Sequence, residues 1–340
     1  MATSPLAMHR GAIAVWTGSK MIIWGGCCSN DLEDPRFHDG AAYDPARDSW
    51  ARIAPAPFVL SPAVATWTGT QMLVWGVTPE GPRGASYDPA SDIWNRMADA
   101  PVDGYFESYT GVWTGRQWLV WGFGGAANEG AAYEPTSDTW KPLAQFPFDP
   151  RIGHQAVWTG SQMVVMGGSA PVLDFPGLAD AASYDPATDR WARIAPWPLP
   201  PRDAPNAVWT GREVLVWGGR KGAQWFADGA AYDPARNTWR PLAAAPLSAR
   251  VPGAFLWTGK VLLVLGGIRN TDYFSDGAAY DPVIDRWRPV APVPFKAAGP
   301  ASVWSGTEAL VWGGLEPPRA PAVEPRFLPV GARIRPGAGD

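Results

Sequence analysis

Seven times along this chain a tryptophan opens the triplet Trp-Thr/Ser-Gly, at Trp16, Trp67, Trp113, Trp158, Trp209, Trp257 and Trp304. Each time a second large apolar residue follows eight positions later, directly before a glycine: Trp24, Trp75, Trp121, Met166, Trp217, Leu265 and Trp312. The interval never varies. A β-hairpin imposes such constancy, because one inserted residue would move every later side chain to the opposite face of the sheet. The Thr-Gly pair between two apolar runs supplies the turn. The two arms are strands A and B of a repeating unit.

A second hairpin follows six times. Tyr43, Tyr87, Tyr133, Tyr184, Tyr232 and Tyr280 each precede Asp-Pro (Glu134-Pro135 in the third copy), and a tryptophan follows seven residues after each tyrosine. Asp-Pro suits the first two positions of a type I turn, since the carboxylate accepts local N–H bonds and proline presets φ. These arms are strands C and D. Alternation and β-prone aromatics mark all four, and no segment keeps a helical period.

The unit recurs every 45 to 51 residues. A four-stranded antiparallel sheet of that size cannot bury both faces alone, whereas sheets set radially against one another can. The expected fold is all-β: a seven-bladed β-propeller of four-stranded antiparallel blades, with residues 1–340 as one domain. The ends bear on the count, because there are seven A–B hairpins and six clear C–D hairpins. Gly331 to Pro336 matches the head of strand C, with Ile334 for tyrosine and Arg335 for aspartate. Residues 2–7 resemble the strand D that begins at Thr238. The reading adopted is that an N-terminal strand over 2–8 completes the last blade with 330–336, so that both termini close it. The other arrangement is six blades and a dangling hairpin.

The 340 residues carry a net charge of −4 with Lys and Arg scattered, so no basic stripe points to nucleic acid. No apolar run reaches the length of a membrane span, and the first residues lack the pattern of a signal peptide. A cytoplasmic protein is expected. Cys27 and Cys28 are adjacent and cannot staple distant segments.

The Gly-Gly pair after strand B, followed by Tyr-Asp-Pro and a tryptophan, resembles the kelch-repeat family over essentially the whole chain. Gly76-Val77 and Gly122-Phe123 depart from it. The resemblance implies a propeller whose D–A and B–C loops share one face, where recognition would sit.

Eighteen of the 21 tryptophans occupy repeat positions and read as packing. Function must be sought where the repeat breaks. Seven residues ahead of each Trp-Thr/Ser-Gly stand His9, Leu60, Phe106, Arg151, Arg202, Arg250 and Ala297. Arginine in three consecutive blades forms either an arc for a carboxylate or phosphate or a set of ties to loop carbonyls. Four residues ahead, Tyr109 and His154 are the large polar residues, on adjacent blades. They form either an acid–base pair near Arg151 or a hydrogen-bonded lining. Asn206, Trp225 and Tyr273 complete the candidate ligand-binding set.

Two functions compete. One is a binding module that takes an anionic or sugar-like small molecule, or a protein partner, on its loop face and central funnel. The other is a metal-independent enzyme, similar to the sugar mutarotases and epimerases built on kelch propellers, with His154 or Tyr109 as acid or base. No cofactor is implied. Asp34 and His38 partly resemble the iron site of kelch-type specifier proteins, but Asn30 stands where that pattern needs glutamate. The copper-radical oxidases built on kelch-like propellers need two histidines, a copper-ligating tyrosine and a Cys–Tyr crosslink, whereas this sequence has only His9, His38 and His154 and no adjacent Tyr-His pair.

Overall fold

The computed structural model describes residues 1–6, 11–26, 38–60, 63–78, 80–101, 109–124, 127–171, 176–317, 326–327 and 330–336. Regular structure in them is all strand, apart from single-turn geometry at His38. Six four-stranded antiparallel sheets in the order A-B-C-D, and a seventh of three strands in the order A-B-C, follow one another along the chain. The fold is a seven-bladed β-propeller. Among the described residues no helix is long and apolar enough to cross a membrane.

The blades fall into two compact units. One comprises residues 98–251 with 281–287, and the other comprises 1–97, 252–280 and 288–340. The first holds blade 3 (strand A Tyr109–Trp113), blade 4 (Gln155–Trp158) and blade 5 (Asn206–Trp209). The second holds blade 1 (Ile13–Trp16), blade 2 (Ala63–Trp67), blade 7 (Ala301–Trp304) and strands A to C of blade 6 (from Ala254–Trp257).

The Trp-Thr/Ser-Gly triplet works as expected. Trp16 pairs with Met21, and Trp209 with Val214. Between them the hydroxyl of Thr17 or Thr210 accepts the N–H three residues on, at 2.9 Å in both. The glycine takes a positive φ, 93° at Gly18 and at Gly211, which a Cβ would strain. The large residue before the second glycine is the blade core. Trp24, Trp75, Trp121, Met166, Trp217, Leu265 and Trp312 are all buried. The second glycine of the pair meets another constraint. A Cβ on Gly168 would lie 2.7 Å from the Ile152 carbonyl, and one on Gly219 would lie 2.8 Å from that of Asp203. In blades 2 and 3, where valine or phenylalanine stands there, strand B instead runs on unbroken, over Met72–Thr78 and Trp118–Gly124.

Successive blades are tied by a repeated clamp. The fifth residue after each strand-C tyrosine is Asp48, Asp92, Asp138, Asp189, Asn237 or Asp285, all with φ between 47° and 55°. Aspartate and asparagine tolerate this left-handed region better than other non-glycine residues. Asp189 accepts the Tyr184 hydroxyl at 2.7 Å and the backbone N–H of Ala144, from the end of the preceding blade, at 2.9 Å. The strand-D indole of Trp191 donates to the carbonyl of that same alanine at 2.8 Å. Ala54 is held in the same way by Asp92 and Trp94, and Ala195 by Asn237 and Trp239. Burial, then the carboxylate acceptor, pushes the Tyr43 hydroxyl up to about 12.

The N-terminus departs from expectation. Residues 2–6 form no strand, and residues 7 and 8 lie outside the described residues. Ala2 enters the clamp instead: its N–H meets Asp48 at 2.8 Å, and its carbonyl accepts Trp50 Nε1 at 3.0 Å. Ala2 therefore matches Ala243, which is held by Asp285 and Trp287, rather than Thr238. The reason is that the clamp fixes register through two directional bonds, whereas the likeness to strand D rested on Pro5 and Leu6. Leu6 packs in the cluster that contains Trp312 and Tyr43.

Candidate functional site

Strand A starts at the loop face, so the residue seven ahead of its tryptophan sits beside the base of its own blade's B–C loop. Arg151 and Arg202 are fully buried there. The Arg151 guanidinium donates to the Gly167 carbonyl at 3.2 Å and the Asp180 carbonyl at 3.3 Å, and it pairs with the Asp180 carboxylate at 2.7 Å. Gly167 leaves strand B, and Asp180 leads into strand C, so one side chain staples both ends of the loop. Arg202 repeats the arrangement on the Gly218 carbonyl at 3.1 Å and on Asp228, whose carboxylate it meets at 2.7 Å. Its Cζ stands 3.9 Å over the Phe226 ring, and Arg151 stands 4.8 Å over Phe146. Arg250 is equally buried, with Nε on the Ser248 carbonyl at 2.9 Å.

This geometry is that of ties to loop carbonyls. A buried guanidinium must be paired and hydrogen-bonded, and Arg151 and Arg202 each meet an aspartate carboxylate and loop carbonyls. A ligand carboxylate could reach them only by prising the loops apart. Of the partners, Phe226, Asp180 and Asp228 escaped the sequence reading. Their signal was present: an aspartate precedes strand C by one residue in the blades that carry Arg151 and Arg202.

The structure brings His154 against Thr110, the residue after Tyr109. His154 is buried, its Nε2 lies 3.0 Å from the Thr110 hydroxyl, and its ring meets Trp121 edge-on at 4.6 Å. Neighbouring residues on a strand point to opposite faces, so the face on which Thr110 meets His154 is not the one Tyr109 presents. Tyr109 is itself half-buried at the start of strand A of blade 3, opposite Gly122. Burial, then the charge of Arg151, lowers the imidazole to about 3, well under its usual 6.5.

A histidine held neutral when folded carries a consequence for stability. The unfolded chain takes up a proton below about pH 6.5 while the folded chain does not, so stability falls as pH drops from there towards 3. His154→Gln is expected to flatten that slope in urea denaturation at pH 7, 6, 5 and 4. Equal slopes in the two proteins would contradict a neutral, buried His154.

The remaining candidates sit on loops and strand ends. Asn206 opens strand A of blade 5, half-buried opposite Trp217. Trp225 lies in a small hairpin within the B–C loop of that blade, Arg220–Lys221 paired with Gln224–Trp225. Gly222 at its tip has φ 56°. Arg220 lies 5.7 Å from the Trp225 ring centre and 3.5 Å from Asp203, and its backbone bonds Asp203 in both directions. Lys221 and Gln224 are exposed and Trp225 is half-buried. Tyr273 lies in the other unit, half-buried in the long hairpin of blade 6, Leu262–Arg269 with Asp272–Asp281, where it faces Ile268. His38 is half-buried, and its carbonyl accepts Trp24 Nε1 at 3.3 Å and Ala56 N at 3.1 Å. Asp34, Cys27 and Cys28 lie outside the described residues. Among the described residues no three metal-ligating side chains come together.

Repeated antiparallel blades with stapled bases and variable loops define a propeller of the binding-scaffold class. The model of the KLHDC2/KLHL20/DRC7 Kelch-repeats domain matches residues 108–314, and the chain belongs to the kelch-repeat family. The search of curated proteins finds no match.

Proposed function

We propose that the chain is a binding module that holds a segment of a partner protein on the B–C hairpin of blade 5. The observation that carries this reading is the hairpin of blade 5. Arg202 fixes its base, and the pairing of Arg220 with Asp203 and with Trp225 braces its flank. An exposed lysine and a half-exposed tryptophan are thereby presented on a frame whose ordering cost was met on folding. Aromatic and basic side chains on such frames are the usual anchors of interfaces. The small-anion reading loses its anchors, because the buried arginines are committed to loop carbonyls. Against the acid–base reading with His154 as base stand its burial and the lowering of its imidazole below the usual range.

The test uses the whole chain with a photo-crosslinking residue at Gln224 or at Arg212, both exposed, the second in the A–B turn at the other end of the blade. Crosslinks to one discrete protein from Gln224 and none from Arg212 are expected. Crosslinks from Arg212 alone, or from neither position, would refute the assignment of the B–C face.

A further inference from the structure

Strand C of blade 7, Gly331–Ile334, pairs on its inner side with Ala309–Trp312 and, among the described residues, with no strand on its outer side. Every other blade has a strand D there. The chain also lacks the means to turn back at this point. Ile334 replaces the tyrosine whose hydroxyl binds the turn, and Arg335, largely exposed, replaces the aspartate that starts it.

Met1 shows where the missing strand runs. In blades 1, 2, 3, 5 and 6 the residue three places after the strand-D tryptophan covers the glycine at the head of strand C. A Cβ on Gly40 would lie 2.8 Å from Ile53, on Gly84 3.0 Å from Met97, on Gly229 3.0 Å from Leu242, and on Gly277 3.1 Å from Val290. On Gly331 the covering atom is the Met1 sulfur. After Ile53, Met97 and Leu242 the next residue is the clamped alanine, Ala54, Ala98 or Ala243, and here it is Ala2. Two independent registers therefore give Met1 and Ala2 the places that follow a strand D. Backwards from Met1, the path lies along the open edge of Gly331–Ile334.

One further contact restricts what fits. In blade 5, Glu213 is met by Arg240, the residue after the strand-D tryptophan, at 3.0 and 2.7 Å. In blade 7 the equivalent Glu308 is met by Arg333 of strand C, at 2.7 Å through both nitrogens. Arg240 sits directly opposite Ala231, and Arg333 occupies the place of Ala231. A basic residue opposite Arg333 would repel it, whereas a small one, such as Ala51 after Trp50, would not.

We propose that this edge is the seat of an extended strand from outside residues 1–340 that leads directly into Met1. It carries a tryptophan three residues ahead of Met1 and a small residue opposite Arg333. Edge pairing supplies its backbone bonds, and the indole completes the clamp chemistry of the other blades.

The test adds Asp-Ser-Trp-Ala-Arg, the strand D of blade 1, ahead of Met1 in the full chain. A melting temperature higher by about 5 °C is expected, with slowed amide exchange at Ala332 to Ile334. The same extension with serine for its tryptophan should give less than half that rise. Unchanged melting and exchange with the tryptophan-bearing extension would overturn the proposal. Protection of Ala332 to Ile334 by the free peptide but not by the extension would overturn it in favour of a strand from another chain.

Discussion

Arg202→Ala is expected to lower the free energy of unfolding by about 2–4 kcal/mol, because buried carbonyls lose their donor, each worth about 1–3 kcal/mol when left unmet, while the half-exposed Asp228 carboxylate is left to water. The Gly218 and Asp228 carbonyls would lose their donor, and the Phe226 ring would lose the guanidinium stacked on it. Arg202→Lys should recover only a small part of this. A single ammonium cannot reproduce a planar fork that meets a carbonyl, both carboxylate oxygens of Asp228 and an aromatic face together. Urea denaturation followed by tryptophan fluorescence measures both variants. A loss under about 1 kcal/mol for the alanine variant would show that Arg202 is dispensable to the frame, and the stapling role would have to be abandoned.

Asp189→Ala is expected to cost about 2–4 kcal/mol. The Tyr184 hydroxyl and the Ala144 N–H lose their shared acceptor, each worth about 1–3 kcal/mol when left unmet, and alanine must then hold a φ of 52°. Asp189→Asn supplies an internal control, because blade 5 already uses asparagine in this place. There Asn237 accepts Tyr232 at 2.9 Å and Ala195 N at 2.7 Å. The asparagine variant should stay within about 1 kcal/mol of the wild-type chain. If the two variants lost the same amount, the acceptor role of this side chain would be refuted.

Much of the fold was legible because the repeat turns weak local signals into a fixed interval. Eight residues between Trp209 and Trp217 would mean little once, but seven equal intervals admit only a hairpin. The turn chemistry of Thr210 and Gly211 then followed from elementary rules. The clamp was legible in principle and was missed. Asp-Pro drew notice as the turn, while the aspartate or asparagine two places before each strand-D tryptophan recurs just as regularly and does the joining. The N-terminal likeness to strand D was misleading because Pro5 and Leu6 recur after strands as readily as within them. Only the bonds of Ala2 to Asp48 and Trp50 set the register.

The candidate site was legible in position and not in direction. Counting back seven residues singled out Arg151, Arg202 and Arg250, which are buried ahead of strand A in blades 4, 5 and 6. Spacing cannot say whether a guanidinium turns outward to solvent or inward to the carbonyls of its own loop, because both choices begin from the same Cα. The co-occurring Asp180 and Asp228 would have tipped the balance. For His154, nothing in the local sequence foretold its partner Thr110, 44 residues away on the neighbouring blade. Trp225 remained a candidate because it lies in a loop the repeat does not dictate.

The clamp also bears on how such a chain changes length over generations. Ala144 is bound by Asp189 and Trp191, so the stretch from Ala144 to Trp191 ties its own two ends together. A gene segment copied from Ala144 to Ile194, just short of the next clamped alanine Ala195, carries a complete set of partners, whereas one copied from strand A to strand D of a single blade leaves out the alanine that the clamp binds. The heritable module is thus out of phase with the blade. It begins in the tail of one sheet and ends at the outer strand of the next, so tandem duplication or loss adds or removes a blade without stranding a polar group.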